Sequence, residues 1–272
     1  PEGNKINVVI EAGMTASQAA RAFEVQGALE RGTPAQLARW MVKFGIDKKI
    51  RAGHYSVVPS DVWNLARQLR VIKPGLLKLQ IIPGIDLFSL ADSLANQDEK
   101  INLQNLSLAL LKDSNYPAEM KEILKLTKND EYTRIAFLQP ETFMLIDRTP
   151  DEIINRASSA WWKQWEGFIR ANKTSAKKII DAAITASMIE REVRHDSECR
   201  TVGGVIKNRI NKNMLLQIDA TVVYAWRLQG QKLTRVLNKD LEIDSPYNTY
   251  KYPGLPPKPI CIPGAAAWDA AF

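Results

Sequence analysis

The sequence predicts an α+β fold, in which a small N-terminal unit precedes a mainly helical region with a few short strands. The first observation is an alternating apolar segment at residues 6–11, followed by two amphipathic helical patterns and a second short strand. The second is a series of longer helical patterns after residue 76, separated by turns that contain Pro and Gly. Two domains, 1–76 and 77–272, therefore suit a chain of 272 residues.

Each helix of the N-terminal unit has a recognisable start. Thr15, Thr33 and Asp61 are typical N-cap residues, and Pro34 occupies the first helical position, where proline is favoured. These signals place helices at 15–26, 33–44 and 61–69, with strands at 6–11 and 55–58. The unit therefore has the order strand, helix, helix, strand, with one further helix.

The second region begins with an apolar strand at 77–82 that reaches a turn at Pro83-Gly84. Pro140-Glu141-Thr142-Phe143 predicts a turn or strand edge. Helical patterns predict helices at 87–94, 103–111, 118–126, 149–172, 175–194 and 199–210, and one more that starts near residue 220. Residues 244–264, rich in Pro, Tyr and Asn, predict an ordered loop with exposed amide, hydroxyl and aromatic groups.

Composition limits the classes of function. The net charge of +7 predicts an anionic partner, which is a nucleic acid, an anionic membrane surface or an acidic polymer. Nucleic acid is the least favoured, because the basic residues are dispersed and no binding motif is present. No apolar run reaches the ~18 residues of a membrane-spanning helix. Because the chain starts at Pro1 without an initiator Met, we expect a fragment of a longer protein.

The cysteines and histidines predict neither a metal site nor a cofactor. Cys199 and Cys261 have no metal-ligand spacing, and two free thiols are the default expectation over a disulfide bond. His54 and His195 are the only histidines, and neither has a clustered partner.

The most informative residue is Glu190, a carboxylate on an otherwise apolar face of a helix. That face combines residues at helical spacing: Ile179, Ala183, Ala186, Glu190 and Val193. Burial disfavours the charged form and raises the pKa of a carboxyl group, as a general acid requires. The alternative is an ordinary ion pair with Arg194, four residues further along the helix.

Polar residues after Glu190 are candidates for a binding cleft. Asp219 is well placed to cap the helix that follows it, whereas Gln217 has no such structural explanation. The clustered Trp161 and Trp165 share a helix face and fit a buried core better than a sugar-stacking platform.

Several motifs together resemble a known family. They are Ala186-Ser187-Met188-Ile189-Glu190-Arg191-Glu192, Asn208-Arg209-Ile210, Leu216-Gln217-Ile218-Asp219-Ala220-Thr221-Val222, Ser245-Pro246-Tyr247-Asn248-Thr249-Tyr250 and Gly254-Leu255-Pro256-Pro257. In this order they resemble the bacterial endolytic murein transglycosylases of the MltG (YceG-like) family. The N-terminal unit resembles the LysM-like βααβ subdomain of that family, and residues 77–272 its catalytic domain.

The resemblance implies a lytic transglycosylase that cleaves the MurNAc-GlcNAc β-1,4 bond inside peptidoglycan strands and leaves 1,6-anhydro-MurNAc ends. Glu190 would be the single catalytic acid and then base. Gln217 and Asn248 would orient the substrate, Tyr247 and Tyr250 would line the cleft, and Asp219 belongs to the same predicted binding set.

Glu192 belongs to that binding set too, either behind the site or as a solvated partner of His195, which is slightly favoured. No cofactor is implied. The implied setting is the periplasmic or extracytoplasmic face of the bacterial inner membrane, with an anchor outside this chain and peptidoglycan synthases as further partners. A non-catalytic wall-binding or division scaffold, and a hydrolytic muramidase that uses Asp219 or Glu192 to activate water, are the alternatives.

Overall fold

The computed structural model describes residues 4–97, 101–146 and 149–272. The chain forms two compact units. The first runs to Leu79 and takes in a short segment that begins at Met144, and the second comprises Gln80–Phe143 and Thr149–Phe272. The predicted boundary after residue 76 lies just before the observed one, but no sequence pattern indicated that the chain returns to the first unit at Met144.

The first unit combines three helices with two small sheets. Its elements are β1 (Ile6–Ile10), α1 (Ala16–Val25), β2 (Leu29–Arg31), α2 (Pro34–Lys43), β3 (Gly53–Val57), β4 (Ser60–Asp61) and α3 (Val62–Val71). Strands β1 and β3 are antiparallel, with Val8 opposite Tyr55, and β2 pairs with β4 in parallel. The predicted strands and helices are confirmed, whereas β2 and β4 were not predicted because they have three and two residues.

Local capping explains where these helices start. Thr15 and Thr33 each accept a hydrogen bond from the backbone N–H three residues on, and the glutamine at that position reaches back to the cap. The apolar faces of the helices then meet in one core, in which Phe23, Leu37 and Leu65 are fully buried. The segment after Met144 joins this unit through a hydrogen bond between the His54 ring and the Ile146 carbonyl.

The second unit is mainly helical. Its helices are α4 (Leu87–Ala95), α5 (Leu103–Leu111), α6 (Ala118–Leu124), α7 (Glu131–Arg134), α8 (Pro150–Ala171), α9 (Ala176–Glu192), α10 (Cys199–Asn211), α11 (Asp219–Leu228) and α12 (Ala265–Ala271). Two short strands, β5 (Leu77–Gln80) and β6 (Thr142–Leu145), pair with each other, and the parts of them up to Leu79 and from Met144 belong to the first unit. The α+β class predicted from the sequence is therefore confirmed.

An aromatic cluster holds the C-terminal helix α12 against α8. Trp161 on α8 lies 5.1 Å from Trp268 on α12 between ring centroids, and Phe137 lies 4.9 Å from Trp161. Trp268 in turn stacks on Phe272. Trp161 and Trp165 are buried, which confirms the interpretation of this pair as core. In the part of the chain that is described, no helix is both long and apolar enough to cross a membrane.

Candidate active site

Helix α9 positions Glu190 in its last turn. The helix starts at the N-cap Ser175, whose hydroxyl accepts a hydrogen bond from the Lys178 N–H. Its core face includes Ile179, Ala183 and Ala186, all fully buried, as the spacing predicted. Glu190 continues this face but is only half-buried. The apolar face of α9 is thus buried along most of the helix and ends at a partly accessible carboxylate.

The Glu190 carboxylate is held by the main chain of the C-terminal loop. The Gly264 N–H donates a 2.9 Å hydrogen bond to Glu190 Oε2. A Cβ atom at position 264 would lie 3.1 Å from the same oxygen, so a side chain there would crowd it. Among the described residues no ion pair involves Glu190, and the predicted alternative of a salt bridge with Arg194 is therefore wrong. No described residue donates a hydrogen bond to the other oxygen, Oε1.

A second glycine lies on the other side of the carboxylate. Gly84 adopts a left-handed backbone with φ of +78°, and a Cβ there would lie 3.8 Å from Glu190 Cγ. Its N–H donates to the Ile262 carbonyl at 2.8 Å, while the Ile262 N–H donates to the Ile85 carbonyl at 2.9 Å. These paired hydrogen bonds join the turn after β5 to the C-terminal loop, and Glu190 lies against both segments.

The same loop is attached to α9 one turn before Glu190. The Ile260 N–H donates to the Ser187 hydroxyl at 3.0 Å, and the Cys261 thiol donates to the Ser187 carbonyl at 3.3 Å. Ser187 and Cys261 are fully buried. Because Gly264 follows three residues later in the same loop, these contacts fix the position of the N–H that binds Glu190.

Burial is the main cause that raises the pKa of Glu190 above its ordinary value. The hydrogen bond from Gly264 opposes this shift, because it stabilises the charged form. The negative charge of Asp196 raises the pKa further, and the positive charge of Arg191 lowers it. The net direction is upward, so Glu190 retains its proton to a higher pH than an exposed glutamate does.

A second polar cluster combines Asp219, Tyr250 and Glu192. The Tyr250 hydroxyl donates to Asp219 Oδ1 at 2.5 Å. Burial, followed by this hydrogen bond and the Asp219 charge, raises the pKa of Tyr250 to about 12. The pKa of Glu192 is also raised, by partial burial and then by the Asp219 charge. Asp219 is thus the common neighbour of the other two groups.

This arrangement corrects two interpretations. Asp219 is the first residue of α11 and makes no capping hydrogen bond, because Ile218 occupies the N-cap position and the Asp219 carboxylate accepts from Tyr250. Glu192 forms no ion pair with His195 among the described residues. The charge that acts on Glu192 is the like charge of Asp219, which raises its pKa. The N–H groups of Arg194 and His195 donate to Glu198 instead.

Thr249 holds the segment before α11 to the Tyr- and Asn-rich loop. Its carbonyl accepts from the Gln217 N–H at 3.0 Å, and its hydroxyl accepts from the Ile218 N–H at 3.0 Å. Gln217 has a left-handed backbone with φ of +53°, and its side chain is exposed. The amide of Gln217 is therefore available to a ligand beside the Asp219 and Tyr250 pair.

Asn248 and Tyr247 lie inside the loop, contrary to their predicted positions in the cleft. Asn248 is fully buried, and its Nδ2 group donates to the Leu241 and Ile243 carbonyls, both at 2.8 Å. Its Oδ1 accepts from the Tyr250 N–H at 3.0 Å. Tyr247 is 7% exposed and packs on Tyr224, with 5.2 Å between ring centroids. Both residues shape the loop and do not face a substrate.

Metal and disulfide chemistry find no support at this site. Within the described ranges, no group of three or more His, Cys, Asp or Glu side chains is arranged to hold a metal ion. Cys199 and Cys261 are both buried and free, as the default expectation stated. Burial raises the pKa of the Cys261 thiol well above its ordinary value, so the thiol stays protonated.

The residues that hold Glu190 in place were not predicted from the sequence. They are Gly84, Ser187 and Gly264. The two glycines follow prolines in Pro83-Gly84 and Pro263-Gly264, which indicated turns but not a shared contact. Since Gly84 and Gly264 are far apart in sequence, only the folded chain brings both to one carboxylate.

Comparison with known proteins gives one consistent family. The YceG-like family model matches residues 8–272. An endolytic murein transglycosylase of Bacillus subtilis (strain 168) is 32% identical over 206 residues, which cover 72% of this chain and 55% of that protein. An endolytic murein transglycosylase of Streptococcus pneumoniae serotype 2 is 24% identical over 288 residues, covering 98% of this chain and 52% of that protein.

A solved structure agrees with this result. The crystal structure of a putative yceG-like protein from Listeria monocytogenes is similar with a TM-score of 0.59 and 26% identity, covering 98% of this chain and 90% of that chain. The chain spans about half the length of the curated relatives it matches. With a family model that matches nearly its whole length, this chain belongs to the YceG-like family.

Proposed function

We propose that this chain is the catalytic part of a lytic transglycosylase, which cleaves the β-1,4 bond between MurNAc and GlcNAc inside peptidoglycan strands. The observation that carries the proposal is the state of Glu190: a half-buried carboxyl group with a raised pKa, one oxygen of which accepts the Gly264 N–H. A protonated carboxyl group with one free oxygen is the form that a general acid requires. The names of the relatives support the same substrate class.

The reaction needs one group that first donates and then accepts a proton. Glu190 protonates the glycosidic oxygen, and the C1–O bond to the leaving GlcNAc breaks. The C6 hydroxyl of MurNAc then attacks C1 and gives its proton to the Glu190 carboxylate, which forms the 1,6-anhydro ring. No water is consumed, so a second carboxylate is not required to activate one, unlike in hydrolytic glycosidases.

The Gly264 N–H serves both halves of this cycle. It donates a hydrogen bond to Oε2 while the carboxyl group is neutral. After proton transfer the same hydrogen bond stabilises the charged carboxylate. Burial works in the opposite direction and favours the neutral form. These opposing influences suit a side chain that acts first as an acid and then as a base.

The cluster around Asp219 is the proposed sugar-binding surface. Gln217, Tyr250 and Glu192 offer an amide, a hydroxyl and a carboxylate beside Asp219, and such groups bind the hydroxyl and N-acetyl substituents of sugars. Asn248 and Tyr247 hold the loop that carries Tyr250.

The wider setting is also proposed. The N-terminal unit would act as a LysM-like glycan-binding domain, and the protein would trim nascent strands on the extracytoplasmic face of the inner membrane. We propose that an anchor outside this chain holds the protein at the membrane and that peptidoglycan synthases are its partners.

The test is digestion of purified peptidoglycan strands with the native protein and with Glu190→Gln. We expect the native protein to produce 1,6-anhydro-MurNAc ends, detected by mass spectrometry, and Glu190→Gln to lose roughly 10³-fold or more in rate. The matched control is Glu122→Gln, which makes the same change at an exposed glutamate on α6, outside the candidate site, and should keep native activity.

Two outcomes would contradict the proposal. Reducing ends as the main product would identify a hydrolytic muramidase. Unchanged function of Glu190→Gln in cell-wall assembly, with no product from either protein, would identify a non-catalytic scaffold.

A further inference from the structure

A small cationic cavity in the second unit is lined in part by Arg191, the residue that follows Glu190. Its volume is about 210 Å³. The cavity is lined by residues from α4, α9, α11 and the C-terminal loop, among them Asp86, Arg191, Tyr224, Arg227, Lys232 and Ile260. Three of these six side chains are cationic, and only one is an acid.

The most informative wall of the cavity is Arg227. Its guanidinium group is mostly buried, lies 5.3 Å from the Phe88 ring centroid and donates through Nη2 to Asp92 Oδ2 at 2.9 Å. Its Nε–H is covered by the chain and has no hydrogen-bond partner among the described residues. What Arg227 contributes to the cavity is therefore the positive charge of a partly exposed guanidinium group.

The remaining charges leave the cavity with a positive excess. Arg191 donates to the Gly84 carbonyl, which does not neutralise its charge. Lys232 makes no ion pair with any described residue. The carboxylate of Asp86 already accepts the Ser89 N–H at 2.7 Å as the N-cap of α4. An anionic group that enters the cavity would therefore meet two cations, Arg191 and Lys232, that have no ion-pair partner among the described residues.

The cavity is connected to the candidate acid through Arg191 and Gly84. Arg191 follows Glu190 in the chain and lowers its pKa through its charge. Gly84 faces the Glu190 side chain on one side and accepts from Arg191 with its carbonyl. Arg191 thus lines the cavity and is hydrogen-bonded to the same glycine that contacts the Glu190 side chain.

We propose that this cavity binds a free carboxylate of the peptide stem that MurNAc carries, so that the site distinguishes strands whose stem carboxylates are free from strands in which they are amidated. The inference rests on the proposed function, since it assumes that peptidoglycan is the substrate. While the stem is attached, the lactyl carboxyl group of MurNAc is consumed in the amide bond to it. The sugar backbone then offers only hydroxyl and acetamido groups, and the anions of the strand are the carboxylates of its peptide stems. A guanidinium group beside an ammonium group suits a carboxylate, because it combines directed N–H donors with a point charge.

The experiment measures binding without turnover. Glu190→Gln protein is titrated with defined glycan strands whose peptide stems carry free carboxylates and with the same strands after chemical amidation of those carboxylates. We expect about tenfold tighter binding of the strands with free carboxylates. Lys232→Glu in the Glu190→Gln background should abolish this preference and leave the affinity for amidated strands unchanged. Arg227→Gln should weaken it, with thermal unfolding as a check on the fold.

Lys207→Glu is the matched control, because Lys207 is an exposed lysine on α10 that does not line the cavity. It makes the same charge change and should retain the preference. Equal affinity for both kinds of strand, no binding of either, or an equal loss of preference in Lys207→Glu would overturn the inference. Failure of the proposed function is distinguishable, because it appears as absence of anhydro products from the native protein, whatever the binding preference.

Discussion

Glu190 and Asp219 are both carboxylates that accept a hydrogen bond from the loop region at 244–264, but the donors differ. Glu190 accepts from the main-chain N–H of Gly264, which the contacts between Ser187 and residues 260–261 hold in place. Asp219 accepts from the side-chain hydroxyl of Tyr250 and is exposed. A fixed main-chain donor beside a half-buried acid, as at Glu190, suits proton transfer. An exposed pair of polar side chains, as at Asp219 and Tyr250, suits ligand binding.

The largest effect in this comparison is expected from Gly264→Ala. The backbone at position 264 has φ of −76° and ψ of 170°, which alanine adopts without strain, but its Cβ would lie 3.1 Å from Glu190 Oε2. Displacement of the carboxylate should lower kcat/KM by about 100-fold with little loss of stability. Gly204→Ala on α10 is the control, since a Cβ there has nothing within 4 Å, and its activity should stay at the native level. Native activity in Gly264→Ala would show that the position of the carboxylate is not critical.

Asn248→Ala tests whether the loop depends on its buried amide. The change leaves the Leu241 and Ile243 carbonyls and the Tyr250 N–H without their partner. We expect the free energy of unfolding to fall by about 2–3 kcal/mol, measured by urea denaturation. Gln217→Ala removes an exposed amide and should change it by no more than about 0.5 kcal/mol. Similar values for the two variants would refute the distinction between a structural and a ligand-facing amide.

Tyr250→Phe tests the second half of the comparison. It keeps the ring and removes the hydroxyl that Asp219 accepts from. If this cluster binds sugar, we expect KM to rise about fivefold with kcat within twofold, because one neutral hydrogen bond contributes about 1 kcal/mol. Tyr252→Phe is matched, since Tyr252 donates to Asp244 in the same loop, and should leave both constants unchanged. A fall in kcat alone would instead assign Tyr250 to the chemical step.

The smallest expected effect is a shift in pH dependence. Asp196 raises the pKa of Glu190, so Asp196→Asn should lower it. A general acid loses activity as the pH rises through its pKa, and the alkaline limb of kcat/KM should therefore move to lower pH. Arg191 lowers the same pKa, so Arg191→Gln should move the limb upward. Asp269→Asn, which removes an exposed partner of Arg200, should not move it. A shift in the same direction for both site variants would contradict the assignment of this limb to Glu190.

The sequence predicted the helices well because their signals are local. The N-caps Thr15, Thr33, Asp61 and Ser175 each precede a periodic segment, and all four hold a backbone N–H in the structure. The apolar stripe that ends at Glu190 is likewise a property of one helix. The short strands β2 and β4 were missed, since two or three residues carry no periodicity.

The residues around the acid could not be predicted, because they depend on contacts between distant segments. Periodicity indicates which face of α9 is apolar, but not that Gly84 and Gly264 lie on either side of its carboxylate. Composition suggested that Asn248 was exposed in a polar loop, whereas the loop folds around that amide. A polar residue in an irregular segment fits either role from sequence alone, and only its hydrogen bonds distinguish them.

Helix α12 links the acid to the core through one short element. Gly264 is its N-cap, and Trp268, one turn later, is buried between Trp161 and Phe272. Fraying of these seven residues would expose an indole ring and withdraw the donor from Oε2 in a single event. Tryptophan emission should therefore report loss of catalytic competence before the remainder of the second unit melts.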